Sequence, residues 1–198
     1  MVKRAFDVVF ALLGLVLFSP GLALAYLLIR LEDSGPGFYR QVRVGRHGQP
    51  FGILKFRTMA VGADKVGLSI TADGDRRITR IGRFLRKTKF DELPQLWNVL
   101  RGEMSFVGPR PEVPKYVALY SPEQRQVLQL IPGITDEASV AFQNEESLLA
   151  AAADPEKYYI ECCIPRKIAL NLEYARRAGF IQDIGVILRT IGAVWLRR

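Results

Sequence analysis

Cysteine and histidine are nearly absent from this 198-residue chain, and that shortage excludes several chemistries at once. The only cysteines, Cys162 and Cys163, are adjacent. Neighbouring cysteines neither staple a fold nor offer metal-ligand spacing, so the sequence predicts a reduced, cytosol-facing setting. The single histidine, His47, lies in the turn-like basic stretch RVGRHGQPF, and one histidine in a loop cannot build a Ser/His/Asp triad. Acid–base or nucleophilic chemistry must therefore come from carboxylates. Acidic residues are the minority charge: 20 Asp and Glu stand against 28 Lys and Arg, a net of +8. Such a balance predicts an anionic partner, whether phosphorylated substrate, acidic membrane or nucleic acid. Basic residues interleaved with aromatics on one platform would favour nucleic acid, and no such run occurs. Repeats and low-complexity tracts are missing as well, and the length suits one globular unit with a core.

What the sequence does have, first, is a long apolar run, AFDVVFALLGLVLFSPGLALAYLLI, from Ala5 to Ile29. It admits three readings: a signal peptide, a spanning helix, or a helix that enters a membrane, breaks and returns to the same side. Asp7 fits badly in a signal peptide's apolar core. Pro20 lacks an amide hydrogen and bends or breaks a helix, while Ser19 can satisfy a carbonyl left free. Lys3 and Arg4 precede the run, and Arg30, Arg40 and Arg43 follow it, so the positive-inside tendency holds both ends on the cytoplasmic face. The residues alone leave re-entry and simple spanning open, because Pro-kinked spanning helices are common.

Beyond the turn-rich exit LEDSGPG, the stretch FYRQVRVGRHGQPFGILKFRTM predicts two strands around a turn. Ala60 to Asp75 is small, polar and Gly-rich, a loop. DRRITRIGRFLRKT places Ile78, Ile81, Phe84 and Leu85 at helical spacing among six cations, a basic amphipathic helix. A second helix is expected from about Asp91 to Leu100, stopped by Gly102, and another around Ser121 to Leu130. Pro165 opens a further helix closed at Gly179. The last segment, Phe180 to Arg198, carries a broad apolar face ending in Trp195, Arg197 and Arg198, suited to an interface between lipid and water or to a core.

An adjacent acidic pair, Asp91 and Glu92, stands at the start of DELPQLWNVLRG. Helix dipole and unpaired first-turn amides favour acids there, so Asp91 as N-cap and Glu92 as first-turn acid is a sufficient structural reading. The surroundings suggest more. Arg83, Arg86, Lys87 and Lys89 precede the pair, and Arg110 follows in a rigid Gly-Pro-Arg-Pro turn. Converging cations can hold a phosphorylated substrate against a carboxylate, and an ionised carboxylate can act as a nucleophile toward phosphorus.

KFRTM (Lys55 to Met59), ITRIGRFLRKTKFDELPQLWNVLRGEMSFVGPRPE (Ile78 to Glu112) and PGIT (Pro132 to Thr135), behind an N-terminal helix with Ser-Pro at its middle, resemble the bacterial sugar transferases called monotopic phosphoglycosyl transferases. The resemblance covers most of the chain and corresponds to the minimal catalytic form. It implies a mostly helical α/β fold: a re-entrant membrane helix broken at Ser19-Pro20 (residues 1–36 with the exit turn), then one catalytic unit (37–198) with a short β-hairpin and amphipathic interfacial helices around the active site. It implies transfer of a sugar 1-phosphate from a UDP-sugar to polyprenyl phosphate, releasing UMP, at the cytoplasmic face of the bacterial inner membrane. Asp91 matches the family's nucleophile, which forms a covalent phosphosugar intermediate. Glu92 matches its partner in metal binding and in proton or substrate handling. Mg²⁺ is implied on Asp91 and Glu92, and Lys55, Arg86 and Arg110 match phosphate-neutralising positions.

After PGIT the chain departs from the family's frequent Gly-Leu-x-Gln-Val, reading Asp136-Glu137-Ala138-Ser139-Val140, which weakens any carry-over of nucleotide or sugar contacts from there. Lys89 and Phe90 likewise replace a commoner Ser-Leu. The competing expectation is a non-enzymatic, basic, membrane-anchored protein binding anionic lipid or nucleic acid. It gives no reason to set a carboxylate pair inside a cationic patch. A homodimer through the terminal helix is also compatible with the sequence.

Overall fold

The computed structural model describes residues 2–63 and 74–195. Its first element, α1 (Val2–Glu32), is long and apolar enough to cross a membrane by length and composition. At 1.5 Å per residue it measures about 46 Å. The expected break at Ser19-Pro20 does not interrupt the helix. Pro20 removes the amide that would bond Val16 O, and Ser19 Oγ donates to that same carbonyl at 2.8 Å. The side-chain compensation is thus as expected, while helical assignment continues through the pair.

Most of α1 is exposed, including Leu12, Leu13, Val16 and Leu17. One narrow face is not. Asp7, Ala11, Ala25 and Ile29 are buried, and two glycines on the helix allow close approach: a Cβ on Gly14 would meet Leu96, and one on Gly21 would meet the Phe90 ring, each at 2.9 Å. Polar ties fasten both ends. Arg4 donates to Val99 O and Leu100 O, and buried Asp7 accepts from Ser105 Oγ and Phe106 N, both at 3.2 Å. At the far end Glu32 accepts from the amides of Arg80 and Ile81, and Asp33 pairs with Arg57 at 2.5 Å.

The expected hairpin forms from β1 (Phe38–Val44) and β2 (Pro50–Phe56), antiparallel with Tyr39 opposite Lys55. His47 sits in the connecting turn at φ 58°, exposed and bonded to Gln129. Of the Gly-rich loop expected over 60–75, residues 64–73 lie outside the described part. The basic helix α2 (Arg80–Lys87) starts later than the pattern suggested, because Thr79 caps it by accepting from Gly82 N. Its apolar stripe is also narrower: Leu85 is buried, but Phe84 is 64% exposed.

The helix expected from Asp91 begins as a 3-10 turn (Phe90–Gln95) and becomes α3 (Leu96–Arg101), ending at Gly102 with φ 81°. A parallel strand pair, β3 (Ser105–Val107) with β4 (Gly133–Thr135), was not expected from the sequence. Short helices follow: α4 (Pro114–Val117), α5 (Glu137–Ala141), α6 (Glu145–Ala151) and α7 (Pro155–Tyr158). The segment expected to be helical around Ser121 to Leu130 is a 3-10 turn over Gln124–Gln129. A π-turn (Tyr159–Cys163) leads into α8 (Ile164–Arg177), and α9 (Phe180–Trp195) closes the described chain. Residues 196–198, including the expected terminal arginines, lie outside it.

Two apolar clusters set the site. Ala11, Ile53, Leu96, Val99 and Met104 lock α1, the hairpin and α3 together, while Tyr116, Val127, Leu149, Tyr159, Ile164 and Ile168 form the core of the second half. Truncating a side chain as buried as Leu96 costs about 2–5 kcal/mol.

Candidate active site

Between these clusters opens a cleft of about 1940 Å³, whose walls include Lys55, Arg86, Asp91, Glu92 and Arg110. The acidic pair enters it because the chain reverses at Lys89, which adopts φ 57°, a left-handed conformation a lysine rarely takes. The N-cap of the following turn is Lys89, not Asp91. Both acids lie in the first turn, so the capping explanation of Asp91 does not hold.

The two carboxylates live in different surroundings. Glu92 Oε1 receives Lys55 Nζ at 3.0 Å and Arg110 Nη2 at 2.8 Å, and its Oε2 faces Arg110 Nη1 at 3.4 Å. Asp91, 8% exposed, has a buried Oδ1 without any hydrogen-bond partner. Burial by itself would raise the pKa of Glu92, but Arg110 and then Lys55 outweigh it and hold the group well below the usual carboxylate range. For Asp91, burial and then the charge on Glu92 push the pKa up to about 6, against the pull of Lys55, Lys89 and Arg86. Burial lowers Lys55 to about 8, with Glu92 opposing. Glu92 and burial have opposite effects on Arg110, and the stronger effect of Glu92 raises it. Environments that push two neighbouring acids apart assign them different work. Glu92 stays ionised as the centre of a cation clamp, and Asp91 is the unpaired, more basic oxygen donor.

Each cation is placed by its own element. Lys55 comes from β2, whose register against α3 is pinned by buried Asn98. That side chain accepts from Leu54 N at 3.0 Å and donates to Gly52 O at 2.9 Å and to Glu103 at 2.7 Å. Arg110 stands on the Gly-Pro-Arg-Pro loop, which packs backbone to backbone on β4. A Cβ on Gly133 would sit 2.2 Å from Gly108 N, so only glycine permits the approach. Arg86, on α2, turns to Glu146 at 2.6 Å rather than to the acidic pair, although its charge still reaches Asp91. Ser19 and Pro20 lie on α1, outside the walls of the cleft.

A family model described as bacterial sugar transferase matches residues 1–197. The chain belongs to the bacterial sugar transferase family. This transferase is 41% identical over 192 residues to the UDP-glucose:undecaprenyl-phosphate glucose-1-phosphate transferase of Caulobacter vibrioides, covering 96% of the present chain and 68% of that relative. It is 46% identical over 134 residues to a putative undecaprenyl-phosphate N-acetylgalactosaminyl 1-phosphate transferase of Bacillus subtilis, covering 68% and 71% of the two chains. With the exopolysaccharide production protein ExoY of Rhizobium meliloti it shares 35% identity over 213 residues, 100% of this chain and 87% of the relative.

Several residues that build the transferase's site escaped the sequence reading. Asp136, 1% exposed, accepts from Arg110 N, Ser139 N and Asn171 Nδ2. It thereby caps α5 and fixes the backbone of the Arg110 loop, which gives the departure after PGIT a structural role. Glu112 receives Arg43 at 3.2 Å and the Tyr159 hydroxyl, holding the same loop from its other side. Arg57, 7% exposed, lines the cleft with Nε and Nη1 unpartnered. None of these three lies inside a periodic element, so no local pattern marks them; only Asn98, a buried polar side chain inside α3, carried such a signal.

Proposed function

We propose that this transferase moves a sugar 1-phosphate from a UDP-sugar to membrane polyprenyl phosphate through an aspartyl-phosphosugar intermediate on Asp91. The observation that carries the reading is the unpartnered, buried Oδ1 of Asp91 beside a Glu92 wholly engaged by Lys55 and Arg110. A buried carboxylate oxygen without a partner is costly, and such costs persist where a ligand or reaction uses them. In the first half-reaction an Asp91 oxygen attacks the β-phosphorus, the bond from that phosphorus to the bridging oxygen breaks, and UMP departs with the electron pair. In the second, a phosphate oxygen of the lipid attacks the same phosphorus and the Asp91 carboxylate is restored. Lys55 and Arg110 neutralise the phosphate oxygens as charge builds on them. Glu92 holds these two cations in place.

Mg²⁺ fits this site in part. Among the described residues no group of three His, Cys, Asp or Glu side chains could enclose an ion. One open carboxylate suits Mg²⁺, which takes one or two protein oxygens and fills the rest with phosphate and water. Asp91 would hold it, with Glu92 a weaker second ligand because Lys55 and Arg110 occupy its oxygens. When bound, the ion supplies charge stabilisation on the diphosphate.

On the same reading α1 enters the membrane and returns to the cytoplasmic face by bending at Ser19-Pro20 while the helix stays continuous. Its two ends are tied to one catalytic body, by Arg4 and Asp7 at one end and Glu32 and Asp33 at the other. A helix crossing a bilayer could not keep both sets of bonds. Relatives this similar are named for glucose and for N-acetylgalactosamine, so both UDP-sugars are candidate donors. The test is incubation with sugar-labelled UDP-glucose and UDP-N-acetylgalactosamine, then peptide mapping. A sugar-phosphate adduct on Asp91 is expected in the absence of acceptor, and none in Asp91→Asn. Product formation with no adduct at any time would overturn the covalent route. Cysteines placed at Val2 and Ser34 should both label from the cytoplasmic side, and labelling from opposite sides would overturn re-entry.

A further inference from the structure

Among the described residues, the outward face of α2 has no partner that explains it. Arg83 and Lys87, one turn apart, are exposed, line the active-site cleft, and have no ion-pair partner among the described residues. Phe84 between them is 64% exposed and lines the same cleft. Lys89 continues the row toward the acidic pair, where its charge acts on both carboxylates. A phenylalanine set among unpaired cations suits neither water nor a core. It suits an amphiphile, with an anionic head for the cations and an apolar body for the ring.

The position of α2 supports the same occupant. Its first amides, from Arg80 and Ile81, are bonded by Glu32, the last residue of α1, at 2.7 and 3.1 Å. The apolar helix therefore ends where α2 begins, and α2 ends two residues before the turn that carries Asp91. Chain direction, charge and exposed apolar surface run from the exit of α1 to the nucleophile.

We propose that Arg83, Phe84 and Lys87, continued by Lys89, form the port through which a lipid phosphate monoester reaches Asp91. The cations take the phosphate, and Phe84 holds the first part of the apolar tail while the remainder stays in the bilayer. This rests on the two-step transfer proposed above.

The experiment separates the half-reactions. UMP released in a single turnover without acceptor reports the donor step, and steady-state product against undecaprenyl phosphate in detergent micelles reports the acceptor step. For Arg83→Gln/Lys87→Gln and for Phe84→Ser the acceptor KM should rise about tenfold, with the UMP burst within about twofold of wild type. Arg83→Lys/Lys87→Arg keeps both charges and should restore the acceptor KM. An equal loss in the burst would assign this face to the donor and overturn the port. A defect seen only on phosphatidylglycerol vesicles and absent in neutral micelles would assign the cations to bulk anionic lipid, and would overturn it too. If wild type shows no burst, the aspartyl intermediate fails, while the port is still judged by the acceptor KM of the variants.

Discussion

Asp91→Asn should abolish transfer and at the same time stabilise the protein. In the folded chain burial and the neighbouring Glu92 raise the Asp91 pKa from the ordinary 3.8 to about 6. The folded state therefore holds the proton more tightly than the unfolded state. Between pH 4 and 6 the native chain binds more protons, so stability falls as pH rises through that window and stays lower above it. A shift of this size corresponds to on the order of 3 kcal/mol of cost at neutral pH. Asparagine has the same shape without the charge, and should recover much of that cost. For a chain of this size the gain is a rise in Tm of about 4–8 °C at pH 7.5, shrinking toward zero near pH 4. Differential scanning fluorimetry in a mild detergent across pH 4–8 measures it. Turnover of the variant should fall by ~10³-fold or more, since among the described residues no other unpartnered carboxylate oxygen lines the pair. A Tm that is unchanged or lower at pH 7.5, with the same pH profile as wild type, would refute the electrostatic account even if activity is lost. The wild-type rate should itself fall away below about pH 6 as Asp91 is protonated.

Glu92→Gln should act the other way on stability. Its folded pKa is depressed, so its stabilising effect is present above pH 4.5 and lost as pH falls; removal leaves Lys55 and Arg110 facing each other and should cost about 3–5 kcal/mol at pH 7, read by denaturant titration. Asn98→Leu removes three hydrogen bonds that register β2 on α3 and should lower kcat together with stability, by about 2–4 kcal/mol; a full-activity variant would show that Lys55 is placed by other means. Ser19→Ala leaves Val16 O without its donor and should reduce thermal stability in nanodiscs, whereas Ser19→Ala/Pro20→Ala should recover it, because an alanine in place of Pro20 supplies the missing amide.

The elements written in local chemistry were legible before any coordinates. The hairpin showed in its alternation around Gly45 to Gln49, α2 in its 3.6-residue period, and the end of α3 in Gly102. Family resemblance then carried Asp91, Glu92, Lys55 and Arg110 to one cleft. What stayed hidden depends on contacts between distant residues. β3 and β4 are three residues each and pair across 28 positions of sequence, too short for a periodic signal. Asp136 reads as an ordinary turn acid until Arg110 N and Asn171 are seen against it. The left-handed Lys89 has no sequence mark at all, since lysine is a poor choice for that conformation. Phe84 fitted the apolar stripe by spacing, yet points outward, because periodicity reports which residues share a face and not which face is covered.

Phe90 stands one position before Asp91, and its ring rests on Gly21, directly after the proline of α1. The same ring lies 6.4 Å from that of Phe18 on the other side of the Ser-Pro pair. The Ser-Pro pair of α1 and the turn that carries Asp91 thus meet at a single aromatic ring. A load placed on α1 at that pair would therefore reach, through one side chain, the residue next to Asp91.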